Sequence, residues 1–284
     1  MTSATLAWDQ PPWDITTPAA PQTIITVVLA VAVAGFVVAA LVSWYRIKRP
    51  TFLLMLAGGY ICSFNEPLID FLCHCFFPAD GWVGHTVFHR SIPVWVILAY
   101  VVFYGGLTYV LSAAFKSGVT RRALWISIGI WGVLNLAMEI PLLQSDLYVY
   151  YGDQPFVVGG FPLSQLVFNA LGSLLGAVVI TRLSWLFTGT RRLLLLVVPF
   201  VTFMSSWAVG MPLFLVLGTD APHGVRMLAA AVSMALGLVG IDALIRLGTG
   251  QFRLLPPVSA TPDAPDVPWQ PTSTAVSSAR SSAR

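Results

Sequence analysis

The chain has 284 residues, of which 57% are hydrophobic and 10% charged, and its mean hydropathy is +0.80. Soluble domains carry about 25% charged residues, and a packed water-soluble core has no use for so much apolar surface, so the composition points to an integral membrane protein. The net charge is only +3, and no basic block or basic–aromatic interleaving occupies a polar segment, so no nucleic-acid partner is expected.

Residues 1–22 hold Pro11, Pro12 and Pro18, with Asp9 and Asp14 and no Lys or Arg. They read as a flexible extracytoplasmic tail. A secretory signal peptide carries its positive charges before the apolar stretch. Here they follow it, in "RIKR" at 46–49, so the first run reads as a retained anchor.

Crossing the hydrocarbon takes about 20 apolar residues, and seven runs qualify: Ile24–Tyr45, Thr51–Phe77, Ile92–Phe115, Ala123–Leu143, Pro162–Leu186, Leu193–Leu217 and Val225–Ile245. The expected fold is all-α: a polytopic seven-helix domain over 23–247. The rest, 248–284, is rich in Pro, Ser and Ala and reads as a disordered cytoplasmic tail.

Orientation follows from Lys and Arg. They cluster at Arg46, Lys48 and Arg49, at Lys116, Arg121 and Arg122, at Arg182, Arg191 and Arg192, and at Arg246 and Arg253. The alternate junctions hold only Arg90 and Arg226. Seven spans satisfy this alternation, with the N-terminus outside, the C-terminus in the cytoplasm and the chain in the cell membrane. Two outer loops exceed minimal connectors, 78–91 and 144–161. Trp82, Tyr148, Tyr150 and Tyr151 in them suggest an interfacial aromatic belt.

An ionisable side chain within a span costs about 2.5–3.5 kcal/mol on insertion scales and needs a partner, a cavity or a neutral state. Glu66, Asp70, Glu139 and Asp242 fall within spans. Asp242 lies four residues before Arg246, on the same helix face, and a structural ion pair accounts for it. Glu66, Asp70 and His74 follow at one-turn intervals and are expected to share one stripe of span two. Pro67 removes a backbone hydrogen bond beside Glu66 and is expected to kink the helix. Glu139, with Asn135 one turn before it and Pro141 two residues after, lies at a similar depth in span four. Gln165 and Asn169 lie at that depth in span five. Facing lipid, these groups would be unsatisfied, so they are expected to point inward and line a polar chamber in the outer half.

Two carboxyls in an apolar chamber suit general acid and base roles. The candidate catalytic set is Glu66, Asp70 and Glu139, with Glu66 or Glu139 as acid and Asp70 as its partner. The candidate binding set is His74, Asn135, Asn169, Gln165, Trp95, Trp131 and Trp207, the indoles being able to face a cation. The same polar residues also fit a purely structural role as packing contacts. "CHC" at 73–75 with His85 and His89 permits a weaker metal alternative through His74, His85 and His89. No CxxC or HExxH pattern accompanies it, and no cofactor is expected. The three cysteines, Cys62, Cys73 and Cys75, do not form a disulfide framework. Lys48 and Lys116 are the only lysines, both at junctions, which excludes a retinal Schiff base in span seven.

Four blocks, "EPLID" (66–70), "FHRSIPVWVILAYVVFYGG" (88–106), "MEIPLL" (138–143) and "YYGDQPFVVGGFPL" (150–163), together resemble a family of uncharacterised seven-span proteins typical of high-GC actinobacteria. The resemblance covers roughly residues 24–245 and implies the seven-span plan without an activity. In plan, size and intramembrane carboxylates the chain is also similar to the small integral-membrane terpene cyclases, which protonate an epoxide or olefin. That likeness carries over no residue.

Three readings follow. The leading one is a membrane-embedded acid–base enzyme acting on an isoprenoid or other apolar lipid as cyclase, isomerase or hydratase. The second is a proton-coupled transporter or channel component. The third is a structural partner in an envelope complex. An enzyme predicts Glu66 and Glu139 on one enclosed volume. A transporter predicts a polar path through the bundle, and an assembly partner predicts that these groups face outward.

Overall fold

The computed structural model describes residues 10–252. The outermost parts of both expected tails, 1–9 and 253–284, lie outside the described residues. Among the described residues, seven helices are long and apolar enough to cross a membrane: α1 (Ala19–Ile47), α2 (Thr51–Cys73), α3 (Val94–Lys116), α4 (Arg121–Gln144), α5 (Ser164–Arg182), α6 (Val198–Leu217) and α7 (His223–Gly248). They coincide with the seven apolar runs to within about a turn at most ends.

The connections alternate, so the bundle has two unlike ends. One carries the long segments 74–93 and 145–163 and is called the loop end. Arg90 and Arg226 are at the loop end, and the other end carries most of the arginines. There Arg121 and Arg246 each approach Asp242 to 2.6 Å, and the Trp125 indole N–H donates to the same carboxylate at 3.2 Å. The expected Asp242–Arg246 pair is thus present, and Arg121 ties α4 to α7.

Among the described residues, the loop end adds short strands to a mostly helical fold, which the all-α expectation did not include. Six short strands form three antiparallel pairs. β1 (Cys75–Phe76) pairs with β4 (Val149–Tyr150), β2 (Val83–Val87) with β3 (Arg90–Pro93), and β5 (Val157–Val158) with β6 (Phe161–Pro162). Connectors of this length close over an apolar bundle, where backbone N–H and C=O groups must be paired. Phe88 and His89 turn β2 into β3 with φ of 52° and 58°, the left-handed pair of a tight two-residue hairpin.

Residues 10–22 are not a free tail throughout. The Trp13 ring packs edge-on to Phe76 at 5.1 Å, and the Thr17 N–H and hydroxyl both donate to Asp80 Oδ1, at 2.8 and 2.7 Å. These bonds hold the exposed Asp80 carboxyl below its ordinary value of 3.8. One turn into α1, Gln22 Oε1 accepts from the Trp82 N–H at 2.7 Å. The β2–β3 hairpin connector therefore captures the N-terminal segment.

Small residues set the helix spacing. A Cβ on Gly59 of α2 would meet the Gly105 nitrogen of α3 at 2.8 Å, and one on Gly105 would meet the Met55 carbonyl oxygen at the same distance. Gly59 and Gly105 therefore let two backbones touch, as small residues do between membrane helices. The contact falls in a π-helical stretch of α3, Val101–Leu107. Such bulges re-aim side chains and are frequent at functional sites. In α2, the expected break at Pro67 takes the form of a 3₁₀ turn, Ser63–Asn65, just before Glu66. Pro67 then sits in the first turn of the resumed helix, where its missing N–H costs nothing.

Candidate active site

The break in α2 re-aims the segment Glu66–Cys73, and with it Glu66 and Asp70. Both line a cavity of about 180 Å³, counted as the space open to the centre of a water molecule. Glu139 of α4 lines the same cavity. Two carboxyls from helices far apart in sequence thus meet one volume. Asp70 is almost wholly buried, and its Oδ2 finds no hydrogen-bond partner among the described residues.

Each glutamate accepts from a phenol. The Tyr100 hydroxyl donates to Glu66 Oε2, and the Tyr148 hydroxyl donates to Glu139 Oε2. Asn135, one turn before Glu139, adds a 3.3 Å bond from its amide to Oε1. A third contact, from the Tyr104 hydroxyl to Asn169 Oδ1 at 3.3 Å, joins α3 to α5. Tyr100 and Tyr104 lie four apart at the head of the π stretch, so both reach the cavity from α3.

Tyr148 arrives by a different route. After α4 ends at Gln144, Asp146 turns left-handed with φ of 57°, and the chain folds back into β4. Pairing of Tyr150 with Cys75 in the β1–β4 ladder then fixes Tyr148 against Glu139. Burial first, then the adjacent glutamate, push the Tyr148 phenol well above its ordinary range. It remains a donor at neutral pH.

Aromatic surfaces make up much of the remaining wall. Trp95, Trp131 and Trp207 all line it, as expected. Their three indole N–H groups, like Asn135 Oδ1, are buried without partners among the described residues. Beyond the wall at the loop end lies Arg90, a buried cation. It donates to the Tyr151 hydroxyl at 2.8 Å and to the Cys75 carbonyl at 3.5 Å. The rings of Trp13, Phe76 and Tyr151 stand 5.6–5.9 Å from its guanidinium carbon, within cation–π range. Glu66 and Arg90 are both within electrostatic reach of Asp70.

Several expected site residues are placed elsewhere. His74 does not join the Glu66–Asp70 stripe, because α2 ends at Cys73 and His74 caps it in the left-handed conformation, φ 55°. Its ring stacks on Tyr151 at 4.9 Å, and its carbonyl accepts from the Tyr151 N–H at 2.9 Å. Gln165 is fully buried but does not line the cavity. Asn135 and Asn169 do line it.

The metal alternative fails on geometry. His85 lies in strand β2 against Phe64, with ring centroids 4.7 Å apart, and desolvation pushes its imidazole below the ordinary range. His89 is in the hairpin turn and His74 at the end of α2. Among the described residues no group of three His, Cys, Asp or Glu side chains is placed to hold a metal.

The tyrosines are what sequence reasoning missed. Tyr148 was expected in an interfacial belt but is buried against Glu139, and of that set Trp82 is the half-exposed member. Tyr100 and Tyr104 carried a signal in their four-residue spacing within an apolar helix. Tyr148 carried none, since only the strand pairing brings it back. Compared with known protein families, with curated proteins and with solved structures, the chain matches none.

Proposed function

We propose that the protein is a membrane-embedded acid–base enzyme that acts on an isoprenoid or other apolar lipid. One observation carries the reading: Glu66 and Glu139, each held by a tyrosine, line the same aromatic-walled cavity. In this reading the arginine end lies in the cytoplasm by the positive-inside rule. The carboxyls then sit in the outer half of the cell membrane.

The chemistry is redox-neutral. One glutamic acid protonates a double bond or epoxide of the lipid. The resulting carbocation is shielded by the faces of Trp95, Trp131 and Trp207. It closes by loss of a proton to a second carboxylate, giving a cyclised or isomerised product, or by addition of water whose extra proton passes to that carboxylate, giving a hydrated one. Glu66 and Glu139 are the candidates for the acid. Asp70, with an unpartnered oxygen, is the candidate base. The phenols hold each glutamate in position and keep a neutral donor beside it. Positioned proton transfer of this kind contributes about 10²–10⁴-fold in rate.

The competing readings receive less support. A proton path would need polar groups through to the arginine end, yet beyond Trp131 the cavity is walled mainly by Leu107, Leu111, Leu124, Ile128 and Leu174. An assembly role would turn the carboxyls apart and outward, whereas Glu66 and Glu139 line one shared cavity.

The test is turnover in heavy water. Purified protein is incubated in D₂O with lipid extract from cells lacking it, and the lipids are compared by mass spectrometry. The reading predicts a converted lipid, carrying deuterium when protonation is at carbon, that is absent with Glu66→Gln or Glu139→Gln. An extract left unchanged by the active-site-intact protein would overturn it.

A further inference from the structure

The cavity is long. Along α4 its lining runs from Leu124 near the arginine end to Glu139 near the loop end, fifteen residues or about 22 Å at 1.5 Å per residue. Along α3 it runs from Trp95 to Leu111, through the π stretch and over a comparable depth. One leaflet of hydrocarbon is roughly 15 Å deep, so the cavity reaches past the bilayer midplane.

Its two ends differ in chemistry. Glu66, Asp70, Glu139 and the hydroxyls of Tyr100 and Tyr148 lie toward the loop end. The far end is lined by leucine and isoleucine, with Ser127 and Ser173 as the polar exceptions. The Ser173 hydroxyl is already spent on the Phe103 carbonyl at 2.8 Å. The polar end also holds buried groups that lack partners among the described residues: Asp70 Oδ2, Asn135 Oδ1 and the Trp95 indole N–H. Unsatisfied buried groups of this kind are rare and costly. Gathered at one end of an apolar tube, they specify where a ligand's polar atoms go.

The geometry points to a single-chain amphipathic lipid as the occupant, its polar or reactive end between Glu66 and Glu139 and its hydrocarbon tail running down between α3, α4 and α5. The residues around Leu107, Leu111 and Leu124 are then the floor, and they set the longest chain accepted. The volume is modest for its length, so it takes one chain and not two. α4 is the least buried of the seven helices, and between Leu124 and Glu139 it carries Gly129 and Gly132, where an added Cβ would meet nothing within 4 Å. It is the wall with the most freedom to part and admit a chain from the bilayer.

This inference rests on the acid–base reading for the fate of the lipid's reactive end, but binding and chain length are tested without turnover. Glu66→Gln protein in nanodiscs is titrated with geraniol, farnesol and geranylgeraniol, and with straight-chain alcohols of matching length. Binding is read by quenching of tryptophan fluorescence and by native mass spectrometry. Affinity is expected to rise with length and then stop rising once the tail meets the floor.

Leu111→Trp fills the floor. Displacing about two methylenes' worth of tail predicts roughly tenfold weaker binding of the longest alcohol that fits, with the shorter ones unchanged. Leu111→Ala deepens the floor and moves the limit to the next longer chain, which keeps the test open if the tryptophan variant fails to fold. No binding of any alcohol, or a length profile that neither variant alters, would overturn the inference. Prenyl alcohols held more tightly than straight chains of equal length mark an isoprenoid occupant, and the reverse order marks an acyl one. Either order supports the single-chain site. A length limit found alongside an absence of turnover by the unsubstituted protein would remove the acid–base reading alone.

Discussion

The two ends of the bundle treat the same functional group in opposite ways. At the arginine end, Asp242 is met by two guanidiniums and an indole, at a site open enough for water to share the charge. At the loop end, Glu66 and Glu139 are met by phenols, and no arginine pairs with either among the described residues. An ion pair with two arginines fixes a carboxylate for structural use. A phenol holds a carboxyl by a neutral donor and leaves its proton available. A carboxyl in a membrane helix is thus informative about function through its partner more than its depth.

Substitutions that break this contrast come first, in order of expected effect. Glu66→Gln and Glu139→Gln keep the side-chain shape and remove the proton; each is expected to lower turnover by about 10²–10⁴-fold. Lipid conversion by purified protein checks this, and the two variants should retain cooperative thermal unfolding in detergent.

Tyr148→Phe removes the donor to Glu139 and keeps the ring. Hydrogen bonds to charged groups are worth about 1.5–3 kcal/mol, so turnover is expected to fall roughly 10–100-fold, less than for the glutamate itself. Equal losses in Tyr148→Phe and Glu139→Gln would mean that the phenol takes part in the chemistry as well as in positioning.

Gly59→Ala tests the helix contact that places Tyr100. Its Cβ would stand 2.8 Å from the Gly105 nitrogen, and overpacking of this kind costs about 1–3 kcal/mol. A lowered unfolding temperature measures it, with turnover of the folded fraction reduced because α2 and α3 are pushed apart.

Asp242→Asn removes the carboxylate of the other end. Its partners are about two-fifths exposed, so solvent screening keeps the loss of stability small, and turnover is expected to stay at the unsubstituted level.

The smallest effect concerns Asp80. Its folded value is depressed by Thr17, so its contribution to stability is present above the ordinary aspartate value and lost as pH falls through the depressed one. Thermal unfolding followed downward from neutrality should separate Thr17→Val from the parent only above that fall, and the two should merge once Asp80 is protonated in both.

Most of the helical plan was legible because membrane crossing imposes a length and a composition that a single sequence displays. Glu66, Asp70 and Glu139 were legible because charge in an apolar run demands an explanation. Their partners were not. Tyr100 and Tyr104 hide among apolar neighbours, and Tyr148 reaches Glu139 only through a left-handed turn at Asp146 and a two-residue ladder between distant connectors. His74 was misplaced for a related reason: four-residue spacing assumes a helix that continues, and α2 stops one residue earlier. The strands escaped notice because two-residue ladders leave no periodic pattern to read.

The most direct measurement is a comparison of total lipids from cells that carry, in place of the parent gene, Glu66→Gln, Glu139→Gln or Asp242→Asn. The account predicts that both glutamate variants lose the same product and accumulate the same precursor, because the two carboxyls serve one cavity, while Asp242→Asn matches the parent. Lipids unchanged in both glutamate variants, or altered equally in all three, would contradict it.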